Sequence, residues 1–440
     1  MEICGWGRFP RVECRIGFPH DEESLRRLVT SGRSIARGNG RAYGDSALNP
    51  ARTIDMTGFD RMLAFEPQTG SLTVEAGVIL GDIIEAFLPR GWFPPVTPGT
   101  KFVSVGGMIA ADVHGKNHHK HGSFGAFVEW IDLMVADGSV LRCSRGENPD
   151  LFAFTVGGMG LTGIILRAAI RLMPVESGWV RQQTIPACCL ADAIEIFERS
   201  RSWTYSVAWI DCFAQGNALG RSIVMLGEHA VRAELDGSTK STPYAMAPRR
   251  RRRLPLDAPR LALNRFSIRA FNAYYYAKGR RNAGSSLVDW DSYFYPLDTI
   301  LDWNRIYGRR GFAQFQCVLP LATSLKGLSE LLAAISSARQ GSFLAVLKRM
   351  GAQESRFSFP MEGYTLALDF PVGAASLALM ERLDAITLAH GGRFYLAKDA
   401  RMNAATLERA DPRVGAFREM RSISGAAHHF SSLQSERLLL

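Results

Sequence analysis

The stretch Gly106–Gly125, GGMIAADVHGKNHHKHGSFG, sets four histidines and two lysines among five glycines, with Asp112 as its one acid. Three chemistries fit that composition: a metal site, a cradle for an anion, or a solvated basic loop. Zinc takes a closed set of His, Cys or carboxylate ligands. His114 and His118 stand four apart, but Gly115 and Asn117 between them disfavour a helix, and Asp112 alone supplies acid. No metal is therefore expected. The sharper reading is an anion cradle built from backbone N–H groups, Lys116 and His114, with one or two structural histidines as the plainer alternative.

Two more glycine-rich stretches lie nearby. ARGNGRAYGDS, Ala36–Ser46, is spaced G-x-G-x-x-x-G and is not followed by Gly-Lys-Ser/Thr, so it is no P-loop. Successive N–H groups in such a turn form a nest for an anion, and Arg37 and Arg41 add charge. GMGLTG, Gly158–Gly163, matches G-x-G-x-x-G literally. A dinucleotide fingerprint needs a strand before it and a helix after it. Here NPDLFAFTV reads as a helix, and the alternation of Leu166, Ala168, Ile170 and Leu172 with Arg167 and Arg171 reads as a strand that follows. The order is reversed, so that fingerprint is rejected. Three glycine loops converging on one long, phosphate-bearing cofactor would explain all three.

The 440 residues are enough for two or three domains, and 47% hydrophobic with 21% charged residues is an ordinary globular balance. No run reaches the ~18 apolar residues of a membrane span. The first residues show early charge and no apolar signal region, so retention in the cytosol is expected. Seven cysteines at irregular spacing, with no C-x-x-C, read as free thiols. The net charge of +10 peaks in Arg249–Arg253, five consecutive arginines between prolines. This run reads as a mobile basic loop, either simply solvated or touching anionic lipid head groups or a polyanion. No nucleic-acid module accompanies it and no aromatics interleave with it, so no nucleic-acid partner is expected.

The pattern of short elements predicts an α+β protein. A helix is expected over 22–34, a strand over Leu72–Val78, a helix over Leu80–Leu88 and a hairpin turning at Asp137-Gly138. Beyond about residue 175, aromatic-rich segments replace the glycine clusters. AQFQCVLP and GYTLALDFPV read as strands, and AASLALMERLDAITLAHGG reads as an amphipathic helix stopped by glycine.

Four stretches carry a resemblance: ARGNGRAYGDSALN (36–49), PGTKFVSVGGMIAADVHGKNHHKHGSFG (98–125), TVGGMGLTGIILRA (155–168) and GGRFYLAKDAR (391–401). Together they resemble FAD-binding oxidoreductases of the vanillyl-alcohol-oxidase, or PCMH, type. Within that family they are most similar to the branch that oxidises polyprenylphosphoryl-β-D-ribose. The resemblance runs from GWGRFP to the final ERLLL. It implies a two-domain PCMH-type fold: an FAD-binding domain over 1–175, a substrate domain on an antiparallel sheet over 176–392, and a segment over 393–440 returning to the FAD domain.

The resemblance also implies residue roles. Ala36, Arg37, Gly38, Asn39, Gly40 and Arg41 would wrap the pyrophosphate of FAD, together with Ala42, Tyr43, Gly44, Asp45 and Ser46. Gly99, Ser104, Val105, Gly106, Gly107, His114, Gly115, Lys116 and Asn117 would line the rest of the flavin site, with Tyr395 near the ring. Some relatives bind FAD covalently through a histidine in the first loop; Tyr43 and no histidine stands in GRAYGDS, so noncovalent FAD is implied. Trp209, Asn304, Gln314, Gln316, Lys348, Lys398 and Lys116 match the family's substrate pocket. Three positions depart: a frequent cysteine is Ala367, an asparagine is Thr365, and a tyrosine is Phe294, with Tyr295 beside it as a substitute. Inhibitors that attack that cysteine should not bond to this chain.

The implied reaction is oxidation of the 2′-hydroxyl to a ketone, the first half of an epimerisation to arabinose for cell-wall arabinan. Lys398 is the first candidate for the base and His114 the second; an ion pair with Asp399 or Asp369 is the plainer role for Lys398. Lys116 and Lys348 would hold phosphate or orient the sugar. An NAD(P)H-dependent keto-reductase would complete the cycle. The alternatives are a soluble alditol or aldonolactone oxidase, and a flavin-free basic binding protein on the same scaffold.

Overall fold

The computed structural model describes residues 1–246, 249–259 and 263–440. Its elements mix helix and sheet in an α+β arrangement, with two large antiparallel sheets. The first sheet orders Val140–Ser144, Val128–Met134, Ile164–Arg171, Ser71–Glu75 and Met62–Glu66. Ile164–Arg171 is central and buries residues on both faces, which is why its strand is so apolar. The helices Leu80–Phe87 and Val105–Ala110 share one apolar core with it. A small parallel sheet of Ile16–Gly17, Thr53–Asp55 and Ile35–Arg37 lies beside it and ends where the glycine turn begins.

The second sheet has eight strands in the order Gly284–Asp289, Trp179–Ala187, Ser222–His229, Tyr205–Ile210, Ala345–Met350, Gly363–Pro371, Phe312–Pro320 and Arg393–Phe394. The helices Leu190–Arg199, Leu321–Ser337 and Ala374–Ala389 cover one face and share its core. Strand periodicity then assigns the faces. Ala208, Phe315, Leu347, Leu366 and Leu368 point to the helices, and their chain neighbours point the other way.

Several local expectations meet this structure directly. The hairpin turns at Asp137-Gly138, with Gly138 at φ 83°. The helix before GMGLTG is Pro149–Thr155 and the strand after it is Ile164–Arg171, so the reversed order stands. The helix expected over 22–34 is shorter, Glu22–Thr30. Gly32 at φ 131° breaks it and the next residues enter the parallel sheet. The run Arg249–Arg253 is not a free loop, which corrects the reading of a mobile one. Arg252–Arg253 pairs in parallel with Ile300–Leu301, and Arg253 meets Asp302 at 3.1 Å. Among the described residues, no helix is long and apolar enough to cross a membrane.

The chain's last elements lie against its first. Ser34 bridges to Phe430, the N–H of Leu433 donates to Leu48, and Arg437 reaches Asp45 at 2.7 Å and Asp399 at 2.9 Å. Both carboxylates are buried, so removing the guanidinium leaves two uncompensated charges. Arg437→Ala is expected to cost roughly 3–5 kcal/mol in urea unfolding, the range seen when one member of a buried ion pair is lost. Arg437→Lys should recover part of that.

Candidate functional site

A cavity of about 780 Å³ opens between the uncovered face of the eight-stranded sheet and the glycine loops. The sheet supplies one wall by strict alternation. Val207 and Trp209, Val346 and Lys348, Thr365, Ala367 and Asp369, and Gln314 and Gln316 all face it. The register sets them side by side: Trp209 opposite Val346, Val346 opposite Ala367, Ala367 opposite Gln316, Lys348 opposite Thr365, and Gln314 opposite Asp369. The result is a wall that mixes amides, a lysine and a carboxylate with small apolar side chains and one indole. Trp209 is held in place by its Nε1, which donates to the carbonyl of Phe343 at 3.0 Å.

The opposite wall is backbone. Ala36–Gly44, the segment Thr97–Thr100, and Ser104, Gly106 and Gly107 line it, and Met159, Gly160 and Gly163 complete it. The glycines are needed here for different reasons. Gly40 sits at φ 62°, and a Cβ on Gly38 would fall 2.0 Å from Ser104 Oγ. Among the described residues, the N–H groups of Asn39, Gly40, Arg41 and Ala42 donate to no protein acceptor, which is what an anion nest beside the cavity requires. Arg41 Nε, Thr97 Oγ1 and His114 Nδ1 are likewise buried without partners. Orphaned donors around a long, glycine-lined cavity suit an elongated ligand carrying phosphates, and FAD fits that description.

The charge of the walls points the same way. Arg37, Arg41, Lys116, Lys348 and Lys398 line the cavity, and Asp369 is the one carboxylate among the described lining residues. Lys398 Nζ lies 3.4 Å from the Tyr43 ring centroid and forms no ion pair within 4 Å among the described residues. Burial lowers its proton affinity; nearby Asp369 opposes that and Lys348 adds to it. Asp369 in turn is pushed up by burial, while Gln314 donates to it at 2.5 Å and Lys398 favours its charge. Burial brings Lys348 down to about 8, and burial with Lys348 brings Lys116 down to about 7. Lys116 Nζ donates to the Tyr293 carbonyl and rests on that ring, 4.2 Å from its centroid.

His114 behaves differently. Gln316 Nε2 donates to its Nε2 at 3.1 Å, which leaves the proton on Nδ1. Burial, then Lys348, His118 and Lys398, hold it well below the usual imidazole range. The ring is a neutral wall against Tyr395, centroids 5.1 Å apart. The other three histidines of the opening motif are fasteners. His118 bonds Gln353 at 2.8 Å and accepts from the N–H of Gly351, His119 bonds the Trp203 carbonyl at 2.8 Å, and His121 bonds Asn117 at 3.1 Å. Asp112 accepts from Ser123, Gly125 and Gln353, closing the loop on itself.

Most of the residues singled out in the sequence face this one cavity, but six do not. Asp45 is bound by Arg437, and Val105 is in the apolar core. Gly115 is needed for packing, because a Cβ would meet the Thr97 backbone at 3.1 Å. Asn117 donates to the Pro95 carbonyl at 2.7 Å and Asn304 to the Trp6 carbonyl at 2.8 Å, so both act as braces. Tyr295 does not replace the missing tyrosine: it turns into the core against Trp290, and Phe294 faces the cavity. The pairing of Lys398 with Asp399 is also corrected, since Asp399 is held by Arg437 and the N–H groups of Arg401 and Met402. Sequence reading missed Trp6, Tyr275, Trp303 and Phe343 in the wall. None carries a motif, and only the fold brings them together.

A site of this kind, on this fold, is that of an FAD-dependent oxidoreductase. The FAD binding domain family matches residues 16–144. The decaprenylphosphoryl-beta-D-ribose oxidase of Mycolicibacterium smegmatis is 35% identical over 100% of this chain and 97% of its own. The D-arabinono-1,4-lactone oxidase of Yarrowia lipolytica is 27% identical over 36% of this chain and 31% of its own. The L-gulonolactone oxidase of Mus musculus is 31% identical over 31% of each chain. The chain belongs to the FAD-binding oxidoreductase family that includes the mycobacterial oxidase.

The depressed lysines give a stability signature. Between their folded values of about 7 and about 8 and the ordinary 10.5, the unfolded chain binds more protons than the folded one. Stability of the FAD-free protein therefore rises with pH through that window, and below the window these groups leave it unchanged. Lys348→Met should flatten the rise in denaturant titrations from pH 8 to 10 by about 1 kcal/mol per pH unit.

Proposed function

We propose that the chain oxidises the 2′-hydroxyl of a polyprenylphosphoryl-β-D-ribose to the 2′-keto form, as the first half of epimerisation to the arabinose. The observation that carries this is the sheet wall of Trp209, Gln314, Gln316 and Lys348, joined by Lys398 from the turn after Arg393–Phe394, facing the glycine loops across one cavity. The mycobacterial relative, alignable along the whole chain, supports the substrate class. The two lactone oxidases align over about a third of each chain and do not favour a soluble sugar.

In this reading residues 1–175 form the FAD-binding domain, 176–392 the substrate domain, and 393–440 return to the first. FAD is held noncovalently, since Tyr43 stands where a bonding histidine would be. The N–H nest of Asn39–Ala42 with Arg37 and Arg41 holds the pyrophosphate, and Tyr395 stands by the ring. When bound, FAD supplies the acceptor for a hydride.

The remaining chemistry belongs to the chain. Gln314 and Gln316 orient the sugar hydroxyls, and Trp209 packs on the sugar face. Lys116 and Lys348 gain full charge when a phosphate enters, because the anion offsets the desolvation that depresses them. Lys398 Nζ takes the hydroxyl proton, and Asp369 stabilises the ammonium that results. Positioned general bases contribute about 10²–10⁴-fold. His114, neutral and hydrogen-bonded to Gln316, shapes the pocket rather than carrying the proton. A keto-reductase using NAD(P)H completes the epimerisation, and the protein works in the cytoplasm at the inner face of the membrane.

The test is anaerobic flavin bleaching by a polyprenylphosphoryl-ribose analogue. Rapid bleaching is expected. A yellow protein that bleaches with free polyols and not with this analogue overturns the substrate. Lys398→Ala should slow bleaching by about a thousandfold. The rate should rise with pH as the Lys398 ammonium loses its proton. His114→Gln should lower the rate without moving that acid limb.

A further inference from the structure

Between residues 237 and 288 the chain holds twelve Lys and Arg against one acid, Asp257. That excess of eleven positive charges is larger than the net charge of the whole molecule, +10. Asp257 is consumed by Arg8 at 2.6 Å and Arg305 at 3.2 Å. The arginine run spends part of its charge internally as well: Arg249 faces Asp291, Arg251 faces Glu85 and Arg253 faces Asp302. Arg250 and Arg252 stay exposed and form no ion pair among the described residues, and further free charge lies on the helix Arg265–Arg281. Arg265, Arg269, Lys278, Arg280 and Arg281 are exposed and form no ion pair among the described residues, and the helix contains no acid.

This helix is apolar on two sides. Its inward side is Ile268, Asn272, Tyr276 and Gly279. Asn272 donates to Asp211 at 2.8 Å, Tyr276 donates to the Ala187 carbonyl at 3.2 Å, and Gly279 lies against Ile223. The second stripe is Phe266, Ala270, Ala273, Tyr274 and Ala277, at spacing i, i+4, i+7, i+8 and i+11. That is a single helical face, and it points away from the protein. Phe266 is 68% exposed and Tyr274 65% exposed. Exposed aromatics in a row on a cationic helix call for a partner. Leu256, 77% exposed, belongs to the same basic segment.

The helix also borders the cavity. Ser267, Ile268, Phe271 and Tyr275 line it, as does Ile300 from the strand paired with Arg252–Arg253. The outward apolar stripe and the wall of the cavity are thus two sides of one helix.

We propose that the outward face of Arg265–Arg281 is a docking surface for an anionic lipid bilayer, with Phe266 and Tyr274 entering the interface and Arg265, Arg269, Lys278, Arg280 and Arg281 meeting head groups. An apolar stripe flanked by cations is what the boundary between head groups and acyl chains selects. Basic side chains alone would fit any polyanion; the outward aromatics commit the face to lipid. Docking there sets the cavity beside the membrane, where a lipid-linked substrate resides. The surface gains that purpose from the proposed substrate, but its binding is tested without it.

The full chain loaded with FAD is floated with vesicles of phosphatidylcholine, with and without phosphatidylglycerol. It should rise with the anionic vesicles and be released by salt. Phe266→Ser with Tyr274→Ser should weaken binding about tenfold, and Arg265→Glu with Arg269→Glu at least as much. Neither pair lines the cavity, so an unchanged flavin spectrum reports an intact fold. Tyr274→Trp should gain fluorescence that brominated acyl chains quench. Failure to float, or floating that ignores both pairs of substitutions, overturns the proposal. Binding to an RNA homopolymer without binding to vesicles overturns it in favour of a polyanion. A dimer that Phe266→Ser with Tyr274→Ser dissolves, and that excludes vesicles, overturns it in favour of a second copy. Bleaching by a short-chain, water-soluble substrate analogue separates the two readings. Docking lost with bleaching intact fails this surface alone; docking without bleaching fails the substrate alone.

Discussion

Buried cations without counter-ions are the constraint around which this molecule is built. Arg37, Arg41, Lys116, Lys348 and Lys398 face one cavity with Asp369 as its described carboxylate. Taking a charged group out of water is costly, and the lysines respond by giving up proton affinity. Such an arrangement is stable only if other parts of the fold hold it rigidly, and they do. The eight-stranded sheet fixes Lys348 in a paired strand, and the turn after Arg393–Phe394 fixes Lys398 over Tyr43. An anionic ligand then binds by relieving a penalty that folding has already imposed.

The same constraint explains why the site is divided between two kinds of structure. A cofactor with phosphates is met best by backbone N–H groups, which glycine turns can present without side chains in the way. A sugar is met best by side-chain amides and amines on a stiff surface, which a paired strand supplies through every second residue. Arg437 joins the two requirements by fastening the last helix to both Asp45 and Asp399, one beside the glycine turn and one beside Lys398.

The outward stripe of Arg265–Arg281 gives this division an orientation. The helix that closes one side of the cavity also carries free positive charge and exposed aromatics. Binding and delivery are then tasks of one element.

The sequence by itself determined the α+β class, the three glycine loops, the reversed order around GMGLTG and the family. The first three rest on local chemistry, since periodicity, turn residues and motif spacing act over a few residues and survive in any fold; the family rests on a resemblance of four stretches. The sequence also singled out Trp209, Gln314, Gln316, Lys348 and Lys398, through a resemblance rather than through spacing. Only the tertiary structure decided which of the named residues face the cavity. Asp45, Asn117 and Asn304 look like ligand groups in the sequence, but long-range partners claim their polar atoms. Tyr295 and Phe294 are adjacent, and backbone direction alone turns one inward and the other toward the cavity. Asp369 enters the wall because strand register sets it opposite Gln314. Likewise, the densest run of arginines announced a charged surface, whereas ion pairs formed on folding engage three of its five members and a helix with no motif at all carries further free charge. Register and pairing couple residues far apart in the chain, and a linear reading contains no term for that coupling.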